Sequence, residues 1–97
     1  MAYGAWTKGT AALILAIREF ARDAGVEDTL LAEWALSQAS LAKRSDGSAQ
    51  AAAAKGWRWV AEMEEIAASM AAAGLPDGFH LAAAEIFRSY PRSQPER

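Results

Sequence analysis

Residues 56–80 read GWRWVAEMEEIAASMAAAGLPDGFH, and the reading of this stretch decides the fold. Val60, Met63, Ala67 and Met70 recur at spacings of three and four, which places them on one face of a helix. Gly74 followed by Leu75 and Pro76 ends that helix, because a C′ glycine takes the left-handed turn and proline cannot extend the ladder. Asp77 stands at the N-cap of a further helix. Arg58, Glu62 and Glu65 share an outward strip, the pattern of a solvated, ion-paired face. Glu64 projects roughly opposite that strip, beside Val60 and Trp57. A carboxylate turned inward needs a partner, since burying it alone is costly.

Working outward, glycine and proline divide the chain into four helical segments. The first spans about 3–24, with Leu13, Ile17, Phe20 and Ala24 on one face and Gly25 at its end. Gly4 and Gly9 weaken its opening turns by about 1 kcal/mol each relative to alanine, so those turns fray unless something packs on them. The second runs from about 28 to 42, with Leu30, Trp34 and Leu41 on a stripe. Ser45-Asp46-Gly47-Ser48 reads as a loop of turn formers, with Ser48 as N-cap of a long third helix over 49–73. The fourth covers 78–90, with Phe79, Ala83, Ile86 and Tyr90 as its core side, and Pro91 stops it. The expected fold class is all-α, a small bundle of about four helices with the first and third long. Residues 1–90 form one domain, and 91–97 a flexible tail.

Composition bounds the function. A 97-residue chain buries roughly 60% of the surface its unfolded form exposes, so pairing with another copy or domain is the expected source of extra stability. A net charge of −2, with basic residues scattered among acids, argues against a nucleic-acid surface. No apolar run reaches the ~18 residues of a membrane span, and the expectation is a cytoplasmic protein without membrane contact. With no cysteine and one histidine, disulfides and a structural zinc site are excluded from a single chain. Dinucleotide, phosphate-loop, HExxH and GxSxG signatures are absent.

Two sets of residues stand out as candidate sites. His80, just past the turn at Gly74, is the candidate partner of Glu64. Such a pair either ties the last two helices together or serves as an acid/base couple, and both readings stay open. Four tryptophans in 97 residues are the second signal. Trp57 and Trp59 lie about 200° apart on a helix, so one of them belongs at an edge, a pocket wall or a subunit contact. Tyr3, Trp6 and Trp57 are the candidate walls of a small-molecule pocket.

The segment WRWVAEMEEIAASMAAAGLPDGFHLAAAEIF (57–87), with AWTKGTAALILAI (5–17) and GVEDTLLAEWALSQ (25–38), resembles the C-terminal helical domain of one branch of the 6-phosphogluconate dehydrogenase-like, β-hydroxyacid dehydrogenase group. In that branch the domain follows an NAD(P)-binding Rossmann domain. The resemblance implies a substrate-side, dimer-forming helical domain whose partner is a second copy or the missing Rossmann domain. It implies no cofactor within this chain, NAD(P) being bound by the other domain. The catalytic lysine of the resembled enzymes would fall just before Met1, while Gly4 and Thr7 occupy their asparagine and glutamate positions. Lys8 is the nearest lysine, displaced by two turns. Three readings follow: an isolated dehydrogenase C-terminal domain, a free-standing protein using Glu64 and His80 for ligand binding or non-redox acid/base chemistry, and a pure interaction module.

Overall fold

The computed structural model of the chain describes residues 1–90, and the tail expected at 91–97 lies outside the described residues. Five α-helices follow one another: α1 (Ala2–Asp23), α2 (Glu27–Ser37), α3 (Leu41–Lys55), α4 (Trp59–Ala72) and α5 (Gly78–Arg88). A 3₁₀ turn, Gly56–Arg58, joins α3 to α4. No strand occurs among the described residues, so the all-α class holds, with five helices where the sequence suggests four.

The two glycine stops behave as their positions predict. Gly25 and Gly74 have φ of 75° and 79°. At each, the amide two residues past the last full turn reaches back to close the helix end: Val26 N–H donates to Ala21 O at 2.8 Å, and Leu75 N–H to Met70 O at 2.9 Å. Gly25 N–H to Arg22 O and Gly74 N–H to Ala71 O complete the pattern. Asp77 occupies the N-cap of α5 but makes no side-chain capping bond.

Two expectations about the middle of the chain are overturned. Residues 45–48 are not a loop but lie inside α3, so Ser48 is not a cap. Ser45 is buried, and its hydroxyl accepts a hydrogen bond from Arg18 Nη1 on α1 at 2.5 Å while donating to Ala42 O at 2.9 Å. Tertiary anchoring of this polar turn outweighs the weak helix propensity of Asp46 and Gly47. The long helix expected over 49–73 is also broken. Gly56 is buried where a Cβ would stand 3.4 Å from both Ala52 Cβ and Tyr90 Cβ. That close approach lets the chain bend there and carries Trp59 onto Phe87, their rings 5.0 Å apart and edge to face.

The core lies between α1, α4 and α5, with α3 closing one side. Ala12, Leu15, Ala52, Met63, Ile66, Ala83, Ala84 and Phe87 form one buried cluster. Small residues on α1 and α5 let the helices approach closely, and Met63 and Phe87 fill the remaining volume. This reverses the expected orientation of α1. Leu13, Ile17 and Phe20, read as its inner face, point to solvent, while Ala12, Ile14, Leu15 and Ala21 are buried. Phe79, read as core, is likewise 75% exposed. Helix α1 is apolar on two faces, and the alanine-rich one won the interior because it admits neighbours at shorter distance.

Arg18 ties α1 to the next two helices. Its guanidinium donates to Glu27 Oε2 at 2.8 Å and 3.2 Å and lies 3.5 Å from Asp46 Oδ1. The hydrogen bond from Arg18, opposed by burial and helped by Arg22, holds the Glu27 carboxyl below its ordinary value of 4.5. A depressed folded-state pKa stabilises the fold above that ordinary value, and the contribution is lost as pH falls through the lowered one. Stability measured by urea unfolding should therefore decline on acidification below about 4.5, and Glu27→Gln should blunt that part of the decline. An identical acid profile in the variant would remove Glu27 as its source.

Candidate functional site

An open apolar groove of about 750 Å³ runs between α1 and α5. Trp6, Gly9 and Leu13 form one wall, and Phe79, Ala82 and Ile86 the other, with His80 against the floor. The spacing of Phe79, Ala82, Ala83 and Ile86 turns one face of α5 toward α1. Trp6 and Phe79 stand at the rim, both largely exposed.

His80 is 7% exposed. Its Nε2 lies 3.0 Å from the backbone carbonyl of Ala5, which places the donated proton on Nε2. Its Nδ1 is buried with no hydrogen-bond partner among the described residues. Gly9 makes this seat available, since a Cβ there would stand 2.8 Å from His80 Nε2. The opening turns of α1, weak by propensity, are therefore held by a contact that the glycine itself permits.

Glu64 and His80 are not brought together. Glu64 is about half exposed and pairs with Arg88 Nη2 at 2.7 Å. The buried arc of α4 is centred on Met63, Ile66 and Ala67, and Glu64, about 100° from Met63, sits at its margin. From there the side chain reaches outward to α5. A pair this exposed contributes about 0–1 kcal/mol and makes no acid/base couple with the histidine. The inward reading of Glu64 is thus corrected, and the outward reading of Glu62 with it. Glu62 is partly buried and accepts from Lys8 Nζ at 2.8 Å, with that ammonium 5.6 Å from the centre of the Trp59 ring. Sequence spacing could not reveal this pair, whose members lie 54 positions apart.

Of the three expected pocket walls, Trp6 lines the groove. Tyr3 is 80% exposed beyond its end. Trp57 belongs to the 3₁₀ turn, away from the groove, with the Arg58 guanidinium 5.6 Å from its ring centre. Gly9 and Phe79 are the groove residues that sequence reasoning assigned elsewhere, one to a weak helix start and the other to the core. Among the described residues no cluster of three histidine, aspartate or glutamate side chains is placed to hold a metal ion. No helix of the described chain is long and apolar enough to cross a membrane.

The fold and groove define a class: a small all-helical domain whose first and last helices leave an apolar face uncovered. A family model described as Domain of unknown function (DUF1932) matches residues 21–90, and the chain belongs to that family. This domain follows the NAD(P)-binding domain in 6-phosphogluconate dehydrogenase-like proteins. Comparison with curated proteins and with solved structures produces no match.

Proposed function

We propose that the chain acts as the C-terminal, dimer-forming helical domain of an NAD(P)-dependent oxidoreductase of the 6-phosphogluconate dehydrogenase-like group. Its role is to present a helical surface to protein, with the dinucleotide held by the domain that precedes it in such enzymes. One observation carries this reading: the α1–α5 face is apolar and unpaired in a chain that belongs to the family. Monomeric proteins rarely leave contiguous apolar patches above a few hundred Å² in water. The 97 residues contain no glycine-rich dinucleotide turn of the kind that cradles a pyrophosphate.

Titration with NADH, followed by tryptophan fluorescence, should give no saturable change. Incubation with NAD(P)⁺ and a 2- or 3-hydroxy acid should yield no reduced cofactor. Saturable micromolar binding together with turnover would overturn the assignment.

The groove supports a second reading, small-molecule binding, because its volume suits a drug-sized ligand and its walls are apolar. The acid/base version of that reading has no geometric support, since Glu64 faces Arg88.

A further inference from the structure

The groove between α1 and α5 contains one polar atom that the fold leaves unused. No aspartate, glutamate, lysine or arginine lines it. Besides the Trp6 indole, its polar side chains are Thr10 and His80. The Thr10 hydroxyl donates to Trp6 O within α1. His80 turns its Nε2–Cδ2 edge to α1, since the Cβ position of Gly9 lies 2.8 Å from Nε2 and 3.3 Å from Cδ2. The corner of the ring opposite that edge is Nδ1. With the proton on Nε2 and given to Ala5 O at 3.0 Å, Nδ1 is an acceptor, buried and without a partner among the described residues. Buried polar atoms nearly always have a partner, and an unmade bond carries the full cost of desolvation.

The start of α5 adds donors at the same end. Pro76, Gly78 and Phe79 line the groove beside His80. Asp77 makes no capping bond, so the Gly78, Phe79 and His80 amides have no acceptor in the helix or its cap. A hydroxyl both donates and accepts. Placed here, it gives its proton to Nδ1 and takes a bond from an α5 amide. A carboxylate has no proton to give and sets its charge against the Nδ1 lone pair. An ammonium group loses its water with no counter-charge in the walls.

The walls define the rest of the ligand. Trp6 and Phe79 stand on opposite sides, 65% and 75% exposed, and present two aromatic surfaces. Between them Gly9, Ala82 and Ala83 leave space for a flat ring.

We propose that the groove binds a neutral, flat aromatic alcohol, its ring between Trp6 and Phe79 and its hydroxyl donating to His80 Nδ1. The proposal rests on the small-molecule reading of the groove given above and names the chemical class of the ligand. Phe79, next to His80 on α5, turns aside to admit the hydroxyl to the covered Nδ1.

2-Naphthol and 2-methylnaphthalene share a shape and differ in a hydroxyl for a methyl. A merely apolar groove ranks the methyl compound first, because it buries as much area and desolvates no polar group. An acceptor at Nδ1 reverses the order, and 2-naphthol should bind at least about fivefold more tightly. The chain has a single histidine, so its imidazole nitrogen signals are read by NMR without ambiguity. They should show the Nε2–H form in the free protein, and Nδ1 should shift with 2-naphthol but not with 2-methylnaphthalene. The backbone amides of Gly9, Gly78 and Ala82 should move with both compounds. Ala82→Trp fills the groove from an exposed position on α5 and should abolish both binding events with helical content unchanged. Equal or tighter binding of the methyl compound would overturn the proposal and leave small-molecule binding in the groove standing. A Nδ1 signal unmoved by bound 2-naphthol would do the same. If neither compound moves the groove amides up to its solubility limit, or if both still bind Ala82→Trp, the proposal and the small-molecule reading fall together.

Discussion

Phe87→Ala should cost about 3–5 kcal/mol of folding stability, the usual range for deleting a buried phenylalanine ring. Phe87 is fully buried in the central cluster. Its ring meets Trp59 edge to face at 5.0 Å, and its Cδ1 lies 3.6 Å from where a Cβ of Gly56 would stand. The side chain thus holds together α4, α5 and the 3₁₀ turn that breaks the middle of the chain. A domain of this size has about 5–15 kcal/mol in total, so the variant loses from about a fifth to all of it. At about 4–8 °C per kcal/mol, the thermal midpoint followed by circular dichroism should fall by tens of degrees, or folding should fail. Phe87→Leu keeps most of the volume and should cost about half as much or less. A loss below about 1 kcal/mol for the alanine variant would mean that the core closes around the cavity and that Phe87 is not its centre.

Gly9→Val should be the second large effect, at about 2–4 kcal/mol. The first carbon of any side chain at position 9 falls 2.8 Å from His80 Nε2, so the imidazole must move. Overpacking of this kind costs about 1–3 kcal/mol. Moving the ring also breaks its bond to Ala5 O and leaves a buried polar group unpaired, for a further ~1–3 kcal/mol. The gain in helix propensity over glycine is only a few tenths of a kcal/mol, so the clash wins. Gly47 provides the control. It lies inside α3 with nothing within 4 Å of its Cβ position, and Gly47→Ala should stabilise by about 0.5–1 kcal/mol. Urea unfolding of both variants checks the pair. In a His80→Ala background the valine at position 9 should lose much of its cost, the coupling expected of side chains in contact. Additive costs would mean that the histidine does not constrain the glycine.

Much of the architecture is legible in local signals. Both left-handed glycine stops, the boundaries of α1, the single turn before α5 and the absence of strands follow from glycine, proline and periodicity alone. These are backbone effects that need no distant partner. The family was also legible, because the segment from Trp57 to Phe87 carries a dense and specific pattern.

The site was legible only in pieces. Trp6 and His80 stand out in the sequence and both line the groove, but Glu64 meets Arg88 rather than His80, and Trp57 lies in the 3₁₀ turn. A wheel drawn along one continuous helix from 49 to 73 aligns Glu64 with Val60 and Trp57 and so turns it inward. The break at Gly56 separates Trp57 from that helix, and a carboxylate at the margin of a buried arc reaches water more cheaply than it stays inside. Ser45 and Asp46 are turn formers by local propensity, and the contacts from Arg18 override that preference.

What the sequence determined by itself is the set of helices that can form, where glycine ends them, and the ancestry of the domain. Which face of α1 turns inward was decided only by tertiary structure. Its two faces are both apolar, and hydrophobicity does not choose between them. Close packing does, because Ala12 and its small neighbours allow α4 and α5 to approach where Leu13, Ile17 and Phe20 would hold them apart. The bulky stripe is left on the outside, at the spacing that a second helix can cover.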